Sequence, residues 1–117
     1  MWMKPADSHL EVRLFDALRR AGVRGMVRQH DLRLADGIVI HPDIAIPELC
    51  WAIEVDHVTW HGGRASAQLD KARDRRIREI GWLVDRVTDT EVDTGLADVV
   101  AELVATYRRL RAANRVA

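Results

Sequence analysis

Long hydrophobic runs, paired cysteines and a net charge are all missing from this chain. No stretch approaches the ~18 consecutive apolar residues needed to span a bilayer. The N-terminal run Met1-Trp2-Met3-Lys4-Pro5-Ala6-Asp7-Ser8 has no apolar core of the kind a signal peptide carries, so the expected location is the cytoplasm. A single cysteine, Cys50, excludes an intramolecular disulfide and any zinc site built from cysteine alone. Lysine occurs only at Lys4 and Lys71, and every other basic residue is arginine. Bases and acids number 18 each, so the formal net charge is zero. That excludes a histone-like polycation that coats nucleic acid by charge alone. The interleaving of aromatic and basic residues that marks a single-strand binder is absent, as are internal repeats, low-complexity tracts and linkers.

What is present suits a globular fold. The 117 residues, 48% hydrophobic and 31% charged, predict one domain over 1–117, whether the chain stands alone or is a piece of a longer protein. A domain of this size buries roughly two-thirds of its unfolded surface. Leu10, Leu14 and Leu18 recur every four residues with Phe15 beside them, which predicts a helix over 9–21. Ser8 and Glu11 have capping-box spacing, and Gly22 suits the helix end. Residues 26–31 are β-compatible. Asp36-Gly37 is a hairpin signal between Leu34 and Ile38. A strand over 38–46 contains Pro42, so it bends there or lies at an edge. The mostly apolar run 49–56 reads as a central strand buried on both faces.

A loop with Gly62-Gly63 follows, then a helix over 65–80 ended by Gly81 and a short strand over 82–87. In the last helix Leu96, Val99, Val100, Leu103, Val104, Tyr107 and Leu110 keep the 3.6-residue period. That stripe reads as core rather than as a dimer seam. Arg108, Arg109 and Arg111 suit the negative end of its dipole. The order α-β-β-β-α-β-α predicts a mixed sheet with helices packed on it.

The informative feature is the acids inside the most apolar strands. Asp43 follows Pro42, while Glu54 and Asp56 end the next strand. Residues i and i+2 share a strand face, so Glu54 and Asp56 lie together, and a short connection lets Asp43 join them. Like charges gathered without a counter-ion resist ionisation; a divalent cation removes that cost, and oxygen-only ligands select Mg²⁺ or Mn²⁺. Phosphodiester hydrolysis is the chemistry that fits, with His61 able to move a proton near neutral pH. The competing reading is structural: Asp43 caps a turn, Glu54 and Asp56 sit at an exposed strand end, and Glu11 only completes the box with Ser8. His9, His30 and His41 read as surface groups, and Cys50 as a small buried residue.

Together, Pro42-Asp43, Ala52-Ile53-Glu54-Val55-Asp56, Trp60-His61-Gly62, Asp70-x-x-Arg73-Asp74 and Gly81-Trp82-Leu83-Val84-x-Arg86-Val87-Thr88 resemble a bacterial domain-of-unknown-function family. That family is related to the very short patch repair endonucleases of the PD-(D/E)XK superfamily. The resemblance covers about residues 8–95. It implies an α/β (α+β) restriction-endonuclease-like αβββαβ core, with a mixed central sheet flanked by helices and an extra C-terminal helix. It implies that Asp43 and Glu54 bind metal, that Asp56 is a third ligand or a base, and that Glu11 is a further acid from the first helix. His61 matches the family's histidine, and Asp70 and Arg73 match its helix pair. Two positions depart from the pattern. Asp56 stands where the superfamily has lysine, which leaves Lys71 or Arg73 to supply the cation. His57 replaces the family's glycine and brings a second imidazole near the site in a supporting role.

Residues 64–78 carry six bases against two acids, a net +4. Arginine's planar fork suits phosphate, which makes Arg64, Lys71, Arg73 and Arg76 candidate contacts to a DNA backbone. The same helix also reads as a solvated face with internal pairs, Asp70 with Arg73 and Asp74 with Arg78. The leading expectation is a Mg²⁺-dependent or Mn²⁺-dependent endonuclease acting on DNA. The alternative is an inactive nuclease-fold module that binds DNA or a protein partner within a regulator or defence system. Monomer and homodimer are both open.

Overall fold

The structure is a computed structural model and describes residues 7–57 and 64–116. Helix α1 (Asp7–Arg20) buries Leu10, Leu14 and Leu18, the spacing that predicts it. Four short strands follow: β1 (Val27–Arg28), β2 (Leu32–Arg33), β3 (Val39–Ile40) and β4 (Ile44–Ile46). A 3-10 turn, Pro47–Leu49, leads into β5 (Trp51–Asp56). Helix α2 (Arg64–Glu79), β6 (Leu83–Thr88), α3 (Asp89–Thr94) and α4 (Leu96–Val116) complete the chain. Gly22 (φ 102°) and Gly81 (φ 84°) follow α1 and α2 in the left-handed region, as expected of helix-terminal glycines.

The main sheet has the order β1-β4-β5-β6. β4 lies antiparallel to β1 and to β5, and β6 lies parallel to β5. It is therefore mixed, with β5 central as expected. The span 38–46 is not one strand. β3 pairs with β2 in a separate two-stranded ribbon, and β4 belongs to the main sheet. Pro42, buried and without an N–H, stands at the break, so the bend occurs and β4 lies inside the sheet rather than at its edge. The ribbon turns at Ala35-Asp36-Gly37, where Leu34 N donates to Ile38 O (2.8 Å) and Gly37 N donates to Leu34 O (2.9 Å).

Register assigns the two faces. Ile44 lies opposite Ile53 and Ile46 opposite Trp51; with Val55 and Val87 these pack against α1, α3 and α4 in the main core. Most of the apolar stripe of α4, including Val99, Leu103 and Tyr107, is in that core, as expected. The other face carries Ala45, Ala52 and Val84, and Val84 packs in a second cluster with Ile77 of α2 and with Leu32 and Leu34 of the ribbon. Trp82 also packs against this cluster and stacks on His30 with ring centroids 5.9 Å apart. Trp60 lies outside the described residues.

Three local features differ from the sequence pattern. Ser8 lies inside α1 rather than ahead of it, so it is not the N-cap, and Glu11 is engaged elsewhere. Cys50 is exposed, not buried: it precedes β5 in a left-handed conformation (φ 50°) that takes it out of the strand's alternation. Helix α3 is additional. Thr88 caps it with a full capping box, accepting from Glu91 N while the Glu91 carboxylate accepts from Thr88 N.

Candidate functional site

Among the described residues four polar or charged side chains are buried: Glu11, Asp43, Glu54 and His57, each 5% exposed. These are the residues the sequence singles out, apart from those at the strand end or beyond 57. Burying ionised groups is costly unless each is paired or hydrogen-bonded, so their partners define the site.

Asp43 directly precedes β4, and the β4–β5 register, extended by one residue, sets it opposite Glu54. Its Oδ2 accepts a 2.8 Å hydrogen bond from Val55 N, a donor the end of the short ladder leaves open. A carboxylate there holds the two strands together at the point where regular pairing stops. Glu54 lies on the α2 face, opposite Arg86 of β6. Arg73 Nη1 donates to its Oε2 at 2.9 Å, and Arg86 Nη1 stands 3.6 Å from the same oxygen. Arg86 is in turn held by Asp74 of α2, which accepts from its Nε at 3.1 Å and its Nη2 at 2.8 Å in a fork geometry. A chain of alternating charge, Asp74–Arg86–Glu54–Arg73, therefore ties α2 to β5 and β6.

Arg73 thus brings a cation to Glu54 from the following helix. Asp56 shares the face of Glu54, lies opposite Thr88 and is half-buried. Glu11 belongs to α1, on the other side of the sheet. Its Oε2 accepts from Arg28 Nη2 at 3.2 Å, and Arg28 shares the face of its register partner Ile44. His57, one residue beyond β5, is directed to α3, with Nδ1 3.8 Å from Asp89 Oδ2. It serves that junction rather than the Glu54 face.

In α2, Arg76 forms an ion pair with Asp36 of the ribbon turn, and Lys71, Arg75 and Arg78 are exposed. Asp74 pairs with Arg86 and not with Arg78: β6 offers a two-toothed donor beneath the helix, where the i+4 pair would lie in solvent. His61 and the side chains of Arg64 and Asp70 lie outside the described residues.

Sequence reasoning missed Arg86 and Asp74 as members of the site. The signal for Arg86 is its place in a short apolar strand, two residues after Val84 on the face that meets α2. Among the described residues no three His, Cys, Asp or Glu side chains are arranged to hold a metal ion. The convergent part of the expected triad is the pair Asp43–Glu54. Both are oxygen donors suited to a hard divalent cation.

No protein-family model matches this chain, and no curated protein matches its sequence. Its structure is similar to a solved one, the catalytic domain of the homing endonuclease I-Bth0305I, with a TM-score of 0.67. The fold is a nuclease fold. The likeness covers 86% of this chain and 95% of that domain at 18% sequence identity. The nuclease fold is of the restriction-endonuclease-like type, with a mixed four-stranded sheet between helices. None of the described helices is long and apolar enough to cross a membrane.

Proposed function

We propose that this nuclease-fold domain is a cytoplasmic, divalent-metal-dependent endonuclease that hydrolyses phosphodiester bonds in DNA. The observation that carries the reading is the burial of Asp43 opposite Glu54 at the end of a nuclease-type sheet. A bound Mg²⁺ or Mn²⁺ supplies Lewis-acid polarisation of the phosphoryl oxygen and a more acidic water. Asp43 and Glu54 are the residues that would hold it, the first already fixed by Val55 N and the second positioned between two guanidinium groups. Asp56, two residues along the same face, is the third ligand or the acceptor of the water's proton. His61 protonates the leaving oxygen.

Arg73 is positioned to exchange its Glu54 contact for a substrate phosphate, and the exposed Lys71 extends that contact along α2. Arg64 and Arg76 extend it further, with Arg76 first releasing Asp36. Asp70 acts in support, and His57 supports the site only indirectly, by fixing the end of β5 against α3. Glu11 enters through the family resemblance, from the opposite side of the sheet. Kinship with the very short patch repair endonucleases and the PD-(D/E)XK superfamily is part of the same proposal.

The test is cleavage of single- and double-stranded DNA with Mg²⁺ or Mn²⁺. The wild type cuts, and Asp43→Asn, folded by circular dichroism, does not. Equal cleavage by both proteins overturns the assigned site.

A second reading rests on one observation: the charge of Glu54 is already compensated within the protein by Arg73 and Arg86. On that reading the domain is an inactive module that binds DNA or a protein partner within a regulator or defence system. Calorimetric titration with Mn²⁺ separates the two. Heat lost in Asp43→Asn favours the enzyme, whereas salt-sensitive DNA binding without any metal heat favours the module.

A further inference from the structure

We propose that the end of the domain remote from Asp43 and Glu54, where α1 and α4 finish, is a second surface that grips the phosphate backbone of a nucleic acid. Three hollows of about 180, 360 and 680 Å³ adjoin there. The first two share Tyr107, Arg111 and Arg115, and the first and third share Arg24. Six arginines line the band they form: Arg19, Arg20, Arg24, Arg108, Arg111 and Arg115. Glu48 is the one acid among its lining residues.

The band lies at the Trp51 end of β5, since Glu48 and Leu49 line it, whereas the candidate site lies at the Asp56 end. The six residues of that strand span about 17 Å. The two surfaces are therefore separate.

Helix-terminal arginines also offset the negative end of a helix dipole, and some of these do. Arg20 Nε donates to Asp16 O at 3.4 Å, Arg24 Nη1 donates to Arg19 O at 3.2 Å, and Arg19 pairs with Asp16. The α4 stripe is arranged differently. Arg108, Arg111 and Arg115 follow the i, i+3, i+7 spacing of one helix face, over about 10 Å of axis. Among the described residues none of the three, nor Arg24, has a carboxylate within ion-pair distance. Tyr107, 6% exposed, braces the centre: its ring lies under Arg111 (5.5 Å to the centroid), and its hydroxyl accepts from Arg111 Nη1 at 3.3 Å and from Arg24 N at 3.2 Å.

A row of arginines along one helix face, its middle member Arg111 held over the Tyr107 ring, with a single acid among the lining residues, suits a ligand of closely repeated anions. Duplex DNA offers one charge per ~1.7 Å of axis, and each phosphate matches the guanidinium fork. A neutral chain gains no such surface from its average charge; it must place arginine and acid apart.

Fluorescence anisotropy with a 30-base-pair duplex in EDTA, across a series of KCl concentrations, tests the proposal. R108Q/R111Q/R115Q is expected to lose roughly tenfold or more in affinity near 0.1 M salt. Its log–log salt slope should fall by about 2–3, at ~0.9 for each phosphate no longer neutralised. R108Q/R115Q leaves the Tyr107–Arg111 contact in place, guards against misfolding, and should lower the slope by close to 2. Arg109→Gln, on the same helix but off the stripe, should change the slope by less than either stripe variant. Unchanged slopes in both stripe variants overturn the proposal, as does an Arg109 effect equal to theirs. Loss of binding to phosphatidylserine vesicles with duplex binding intact assigns the surface to membranes and overturns it too. The readout involves no cleavage, so an inactive wild type, which would sink the nuclease reading, leaves this result standing.

Discussion

The two faces of one sheet follow opposite rules. Toward α1, α3 and α4, strands β4 and β5 present Ile44, Ile46, Trp51, Ile53 and Val55, all buried and apolar. Toward α2, the same strands present Ala45, Ala52 and Glu54, with Asp43 just before β4 and Arg86 alongside in β6. The first face is held by volume. The second is held partly by small residues and partly by compensated charge, because an ion buried there needs an opposite charge or a hydrogen-bond donor to be tolerated. One strand serves both because its side chains alternate. Chemistry is confined to the face where packing demands least volume.

The largest break in this comparison is expected on the apolar face. Trp51 is wholly buried, and its Nε1 donates to Asp85 Oδ2 at 2.8 Å. Trp51→Ala removes the largest side chain of the core and should cost about 3–5 kcal/mol in urea unfolding. A loss under about 1 kcal/mol would mean that the face does not depend on volume as described.

On the charged face, Arg73→Ala is expected to cost about 1–2 kcal/mol. Breaking a fully buried pair costs more, but Arg73 is 31% exposed and Arg86 remains 3.6 Å from Glu54. Adding Glu54→Gln should recover part of that loss, because the carboxylate left under-compensated is then gone. If the double variant is instead the sum of its parts, Glu54 and Arg73 are not coupled, and the alternating chain of charge is not what holds α2 down.

Much of this contrast is legible in the sequence, for a reason tied to period. An acid in an otherwise apolar run breaks the pattern visibly, which is how Asp43 and Glu54 stand out, and the fourfold leucine spacing fixes α1. What is not legible depends on contacts between elements. Nothing local says that Asp74 reaches Arg86 rather than Arg78, or that Arg76 reaches Asp36. Nor does anything local say that Glu11 and His57 turn to the opposite face, toward Arg28 and Asp89. The break of 38–46 into strands of two sheets is half-visible: Pro42 marks the place, but only the pairing of β4 with β1 decides its meaning. Helix α3 has a readable signal in the Thr88–Glu91 spacing, hidden because a six-residue helix carries too few turns for periodicity.

That helix offers an intermediate test. Val92, at its centre, is wholly buried in the apolar core, so the Thr88 cap supports the apolar face from outside it. Thr88→Ala should cost about 1 kcal/mol, less than Trp51→Ala and close to Arg73→Ala. Thr88→Ser, which keeps the hydroxyl, should restore most of it. Failure of serine to rescue would point to the missing methyl group rather than the cap.

The smallest expected effect also sharpens the contrast most, because it varies burial with the chemistry held constant. Arg76 and Asp36 pair across the α2 face as Arg73 and Glu54 do, but their side chains are 40% and 46% exposed. Solvent screens such a pair, so a double-mutant cycle with Arg76→Ala and Asp36→Ala should give a coupling of only about 0.2–1 kcal/mol. The cycle is needed because Asp36 Oδ1 also accepts from Ile38 N at 3.0 Å, so Asp36→Ala alone would add a turn defect to the broken pair. The same cycle on Arg73 and Glu54 should give the larger value. If the exposed pair couples as strongly as the buried one, burial is not what makes the second face depend on charge, and the distinction between the faces must be drawn from geometry alone.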